Sequence, residues 1–98
     1  MKQVHSTKRY DEFEENLKDL VARARIQARI KRLSLGNPGS HRNLQKGVSE
    51  LKIDVGPGYR VYYTEMQHGT IVLLLAGGDK STQKADIKAA YQMNDQLP

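Results

Sequence analysis

"GPGYRVYYTEMQHGTIVLLLAGGDKST", residues 56–82, carries two strand-like runs around a turn. Tyr59, Val61 and Tyr63 alternate with Arg60, Tyr62 and Thr64, the period of two that a pleated strand imposes on its faces. Gln67-His68-Gly69 supplies the turn. Thr70 to Ala76 is continuously apolar, which predicts a central strand covered on both faces. The stretch therefore reads as a β-hairpin. Arg60 stands just after a Gly-Pro-Gly corner, and Lys80 stands where the second strand gives way to Ser81 and Thr82.

Upstream, Leu51, Ile53 and Val55 alternate with Glu50, Lys52 and Asp54, a half-buried strand that turns through Gly56-Pro57-Gly58. If this strand pairs with the next through that turn, Glu50, Lys52 and Asp54 share a sheet face with Arg60 and Tyr62. Arg60 alternates away from Val61, so its side chain is expected in solvent. The face is then either an ordinary solvated surface or a place to hold a phosphodiester. Arg supplies paired donors, Lys a point charge, and the N-terminus of a following helix adds free N–H groups. Spacing alone leaves both open.

Asp11 can cap a helix, with Glu14 at capping-box spacing. Phe13, Leu17, Leu20, Val21 and Ala24 follow at helical intervals, as do Ile26, Ile30 and Leu33. The two sets point in nearly opposite directions, and one helix from Asp11 to Leu35 would be roughly 37 Å long. A break near residues 20–24, giving a helical hairpin, resolves both points. Gly36-Asn37-Pro38-Gly39 ends the second helix. Residues 40–47 read as a polar loop. Asp79, Ser81 or Thr82 can cap a last helix whose Ile87, Ala90 and Tyr91 lie on one side. Met1 to His5 can add a short strand. The chain is thus expected to be a single α+β domain, residues 1–98, with a helical hairpin and a C-terminal helix on a small antiparallel sheet.

The 98 residues hold 16 Lys and Arg against 11 Asp and Glu, a formal charge of +5. Such a balance suits a polyanion or an acidic partner. Arg23, Arg25, Arg29, Lys31 and Arg32 fall within ten residues, followed by Arg42 and Lys46. A basic helix of this kind is a solvated face or an RNA contact. Tyr59, Tyr62 and Tyr63 can stack on bases or pack within the sheet. The chain has no cysteine, so disulfides and thiolate metal sites are excluded, and a cytoplasmic setting is expected. No apolar run approaches the roughly 20 residues of a membrane span, and residues 1–30 lack a signal-peptide core. His5, His41 and His68 lack metal-ligand spacing. Gly77-Gly78-Asp79-Lys80-Ser81-Thr82 is not a nucleotide phosphate loop, because Asp79 separates Gly from Lys.

"GVSELKIDVGPGYRVYY" together with "VLLLAGGDKSTQKADIKAA" resembles the RelE/ParE toxin superfamily, and in particular its HigB-like branch of addiction-module killer proteins. "ARIQARIKRLSLGNPG" is similar to the same branch, and the likeness runs from about Tyr10 to Tyr91. The resemblance implies a RelE-like fold and a type II toxin that cuts mRNA in the ribosomal A site. The ribose 2′-OH attacks the neighbouring phosphate, with no metal or cofactor. Carried onto this chain, it implies catalytic roles for Arg60, which would stabilise the phosphate in the transition state, and for Lys80, Lys52 and Glu50, the last at a place where some relatives carry a carboxylate base. Arg29, Lys31, Arg32, Arg42, Lys46 and Tyr62 would contact RNA. The implied partners are an acidic antitoxin encoded nearby, the ribosome and mRNA. The resemblance also marks a departure. The register of the family's Tyr or His acid falls on Asp86, and Tyr91 lies more than a turn further on. A ParE-like binder of DNA gyrase, or a degenerate toxin that only binds its antitoxin, is therefore implied as the alternative.

Overall fold

The hairpin forms as β4 (Tyr59–Met66) and β5 (Ile71–Asp79) in the computed structural model, which describes residues 1–97. Before it come β1 (Gln3–Ser6), α1 (Lys8–Glu15), α2 (Leu20–Ser34), β2 (His41–Asn43) and β3 (Val48–Ile53). After it a 3-10 turn (Lys80–Thr82) leads into α3 (Gln83–Asp95). The five strands lie in the order β1-β5-β4-β3-β2.

β2 through β5 pair antiparallel, but β1 runs parallel to β5, with Gln3 opposite Ile71 and Ser6 opposite Leu74. The sheet is therefore mixed, and β5 lies inside it between β1 and β4. Its apolar run is buried from Val72 to Ala76.

Helices cover both faces of the sheet. Under α1 and α2, Tyr10, Ile26 and Leu33 pack on Leu51, Ile53, Val61, Tyr63, Val72 and Leu74. Under α3, Ala90 packs on Val48, Tyr62, Leu73, Leu75 and Ala76. A register shift between Tyr62 and Tyr63 sets two β5 positions against one step of β4. The shift reverses the alternation of β5. Beyond it Ala76 and Gly78 face α3, while Gly77 faces the Phe13 ring of α1.

The helical hairpin forms, but its break lies at residues 16–19 rather than 20–24. Asp19 sets the start of α2: its Oδ1 accepts from Val21 N at 3.0 Å and Ala22 N at 3.1 Å. Arg23 then closes the end of α1. Its Nη2 donates to the carbonyls of Glu14 (2.7 Å), Glu15 (2.9 Å) and Leu17 (3.2 Å), acceptors that a helix end leaves without partners. Leu20 and Val21 consequently start a new helix and face solvent instead of continuing the Phe13–Leu17 stripe. The cap of α1 is Thr7, which accepts from Tyr10 N at 3.1 Å, and not Asp11. The loop 40–47 contains β2, a three-residue strand that pairs with Ser49–Leu51.

The two glycine corners of the quoted stretch meet. Lys80 N donates to Gly58 O at 3.0 Å. Gly58 has φ +82°, and a Cβ there would sit 3.2 Å from Lys80 Cε, so the lysine methylenes lie directly over it.

Candidate functional site

Lys52 stands directly across from Arg60, Glu50 across from Tyr62, and Arg60 in turn across from Gly78. The four side chains therefore share a sheet face, as the alternation predicts. That face is not open to solvent, because α3 lies on it. Glu50 and Tyr62 are fully buried and Arg60 is 6% exposed. The expectation of an exposed Arg60 is thus corrected. The local period of two sets which side a residue takes but not what packs there.

Glu50 is the centre of the buried group. Its Oε2 accepts from Arg42 Nη2 at 3.3 Å and from Gln83 Nε2 at 3.0 Å. Its Oε1 faces Arg60 Nε at 3.7 Å, too far for a hydrogen bond but within ion-pair range. Arg60 Nη1 donates to Tyr59 O at 2.9 Å. The Tyr62 hydroxyl is enclosed beside this pair without a hydrogen-bond partner of good geometry. Burial first, and then the negative charges of Glu50 and Asp86, hold its proton on well above the usual tyrosine range. A side chain enclosed in this way cannot stack on a base, so the expected RNA contact through Tyr62 is corrected.

Asp86 occupies the register expected of a general acid, and it is buried. It accepts from Thr82 Oγ1 at 2.6 Å and from Arg9 Nη2 at 3.2 Å. Its carboxylate rests against the backbone of Gly78, where a Cβ would come within 1.9 Å of Oδ2. Here it acts as an acceptor that joins α1 to α3.

Lys80 is exposed at the sheet end where β3 and β4 turn, and Lys52 is half-buried on β3. The strand register and the Gly58 contact thus place Lys52, Arg60 and Lys80 at one end of the sheet. A separate cleft of about 590 Å³, which none of these three lines, opens between the end of α1 and the end of β5, with Phe13, Tyr59, Gly77, Asp79 and Asp86 in its wall.

The remaining basic residues divide in two. Arg29 is committed to the fold. Its guanidinium donates to Lys52 O (2.6 Å), Pro38 O (2.9 Å) and Ser40 O (2.7 Å), which fastens the 38–40 loop to the end of β3. Arg42 is committed to Glu50, and Lys46 pairs with Asp95 at 3.1 Å while lying over the Tyr91 ring. Lys31 and Arg32 are exposed near the end of α2. Arg32 joins Arg25, Arg29, Ser40 and Lys52 around a second cleft of about 310 Å³.

Arg9, Thr82 and Gln83 are partners of the buried carboxylates that sequence reading missed. Arg9 lies 77 residues from Asp86 and Gln83 lies 33 from Glu50, so no local pattern joins them. Among the described residues, no three His, Cys, Asp or Glu side chains gather as a metal site, and no helix is long and apolar enough to cross a membrane.

No protein-family model matches the chain. The isolated Escherichia coli RelE toxin is similar in structure, with a TM-score of 0.67 at 13% identity, over 90% of this chain and 98% of that one. RelE in the intact RelBE toxin-antitoxin complex gives a TM-score of 0.65 at 14% identity, over 81% of this chain and 96% of that one. A conserved hypothetical protein from Helicobacter pylori gives a TM-score of 0.55 at 14% identity, over 85% and 99%. In sequence, an uncharacterized protein of Haemophilus influenzae is 48% identical over 95 residues, 97% of this chain and 95% of that protein. With identity of that extent over nearly the full length of both, the chain belongs to the same family as the Haemophilus influenzae protein, and it is built on the fold of the RelE toxins.

Proposed function

We propose that the chain is the toxin of a type II toxin-antitoxin pair and acts as a ribosome-dependent mRNA endoribonuclease in the cytoplasm. The observation that carries this reading is the direct cross-strand pairing of Lys52 with Arg60, with Lys80 at the same end of the sheet. Three cations there suit a phosphodiester that gains negative charge during attack by the 2′-OH. The exposed Lys31 and Arg32, with Arg25 of the adjoining cleft, supply a basic surface for the RNA backbone. The RelE fold, known in complex with an antitoxin, supports an acidic antitoxin as the partner that covers this charge. The sequence likeness to the HigB-like branch points the same way.

One observation favours the second reading, a non-enzymatic poison of DNA gyrase. The register of the general acid holds Asp86, a carboxylate tied to Arg9 and Thr82. Proton donation to the leaving oxygen typically contributes about 10²- to 10⁴-fold, so its loss would slow cleavage severely. The deciding experiment mixes purified protein with translating ribosomes and mRNA and maps ends by primer extension. Cuts in the A-site codon are expected. Arrest of growth with intact mRNA and induced DNA breaks would replace the nuclease with the gyrase poison.

A further inference from the structure

We propose that Glu50 is a positioning residue for Arg60, assisted by Arg42 and Gln83, and not the general base of the site. The inference rests on the nuclease reading for its kinetic arm, while its structural arm is independent of it.

A general base must come within hydrogen-bond reach of the proton it takes. Glu50 has no exposed surface. One of its oxygens accepts from Arg42 and Gln83, and the other is enclosed and faces Arg60 Nε. A substrate hydroxyl has no approach to either oxygen. What the carboxylate does provide is a counter-charge. Arg60 carries a guanidinium cation and is almost wholly buried, and a buried cation without a partner is strongly disfavoured. The Glu50 charge on one side and the Tyr59 carbonyl on the other fix the guanidinium. Two guanidiniums around one carboxylate leave a net positive charge, so Arg60 retains its attraction for a phosphate. Gln83 opens α3 and Arg42 sits on β2, so the same carboxylate ties the helix start and the sheet edge to Arg60. The site arginine is then held to a fixed geometry by three elements.

The test is a cycle of Glu50→Gln, Arg60→Met and the double variant, melted thermally. Each single change is expected to lower Tm by about 10 °C or more, because Glu50→Gln leaves the Arg60 cation buried without its counter-charge and Arg60→Met takes from the buried Glu50 one of its two counter-charges. The double variant should fall by clearly less than the sum of the two. Additive losses would overturn the proposal. Gln83→Ala removes one hydrogen bond from a half-buried residue, so it serves if the Glu50 variant does not fold. It should lower kcat for mRNA cleavage by about 10- to 100-fold through misplacement of Arg60. KM and the pH–rate profile should stay unchanged, and an unchanged kcat would count against the proposal. In Glu50→Gln, residual cleavage should keep the acidic limb of the profile, and disappearance of that limb would make Glu50 the base. Wild-type protein that never cleaves mRNA would sink the nuclease reading, while the melting cycle would still decide whether Glu50 holds Arg60.

Discussion

Arg9 Nη2 lies 3.2 Å from Asp86 Oδ1 and thereby joins two helices that pack on opposite faces of the sheet. The contact is possible because β1 stops at Ser6, opposite Leu74, and leaves the outer side of β5 free beyond that point. Thr7 covers part of this edge by donating its hydroxyl to Leu75 O at 2.7 Å. Arg9 then passes around it to the buried carboxylate.

Arg9→Ala should therefore destabilise the fold, although Arg9 itself is half-exposed. It leaves Asp86 buried with Thr82 as its remaining side-chain donor, at a cost of about 1–3 kcal/mol. In a domain of this size each kcal/mol lowers Tm by about 4–8 °C. Arg9→Lys should recover part of the loss. A melting curve that does not move would show the clasp to be energetically idle.

Gly78→Ala should be harmful for a steric reason. Its Cβ would lie 1.9 Å from Asp86 Oδ2 and 2.5 Å from Thr82 Oγ1, short side chains fixed on α3 and its preceding turn. The start of α3 must lift, and the expected loss is about 1–3 kcal/mol. Denaturant midpoints measure it. A wild-type midpoint would mean that α3 does not rest on β5 as described.

Alkaline pH should weaken the protein through its buried phenols. Burial holds Tyr10, Tyr62 and Tyr63 above the ordinary value of 10.0. Because the folded state binds these protons more tightly, their contribution is complete below pH 10 and is lost as pH rises through the folded-state values. Tyr62→Phe removes a hydroxyl without a well-formed hydrogen bond. At pH 7 it should be neutral or stabilising by up to about 1 kcal/mol. It should also flatten the decline above pH 10 in a series of urea midpoints. A large loss at neutral pH would show that the hydroxyl has a partner after all.

Lys80 and Arg60 should separate function from stability. Lys80→Ala changes an exposed residue, so Tm should stay within a few degrees. On the proposed nuclease function, mRNA cleavage should fall about tenfold or more, because a cation leaves the proposed phosphate site. Arg60→Ala should lower both cleavage and Tm, because it strips a buried carboxylate of a counter-charge. Equal Tm for the two variants would contradict the burial difference between them.

The hairpin at residues 59–79 was legible because the strand period and the turn residues are local. The cross-strand partnership of Lys52 and Arg60 followed from it. The burial of that partnership was not legible. Ile87, Ala90 and Tyr91 announce a helix that must pack on something, yet no local pattern names the face it chooses. The same distance hides Arg9 from Asp86 and Gln83 from Glu50. β2 escaped notice because His41, Arg42 and Asn43 are all exposed and show no apolar alternation. The helix break did carry a signal in Asp19, a good cap residue three positions before the buried Ala22. The apolar spacing of Leu20 and Val21 drew the boundary too far along. Arg29 and Arg32 show the limit of counting charges: three residues apart on one helix, one is spent on carbonyls and the other is exposed.

The parallel seating of β1 on β5 has a consequence for synthesis. Gln3 pairs with Ile71, so β1 waits for a partner translated 68 residues later. At typical elongation rates that interval is about 3–14 s. During it Tyr10 and Phe13 have no β5 to cover, and Glu50 and Arg60 have no α3 above them. A nascent chain therefore cannot assemble its arginine site in stages. The site comes into being only once α3 has been made and has packed on the sheet.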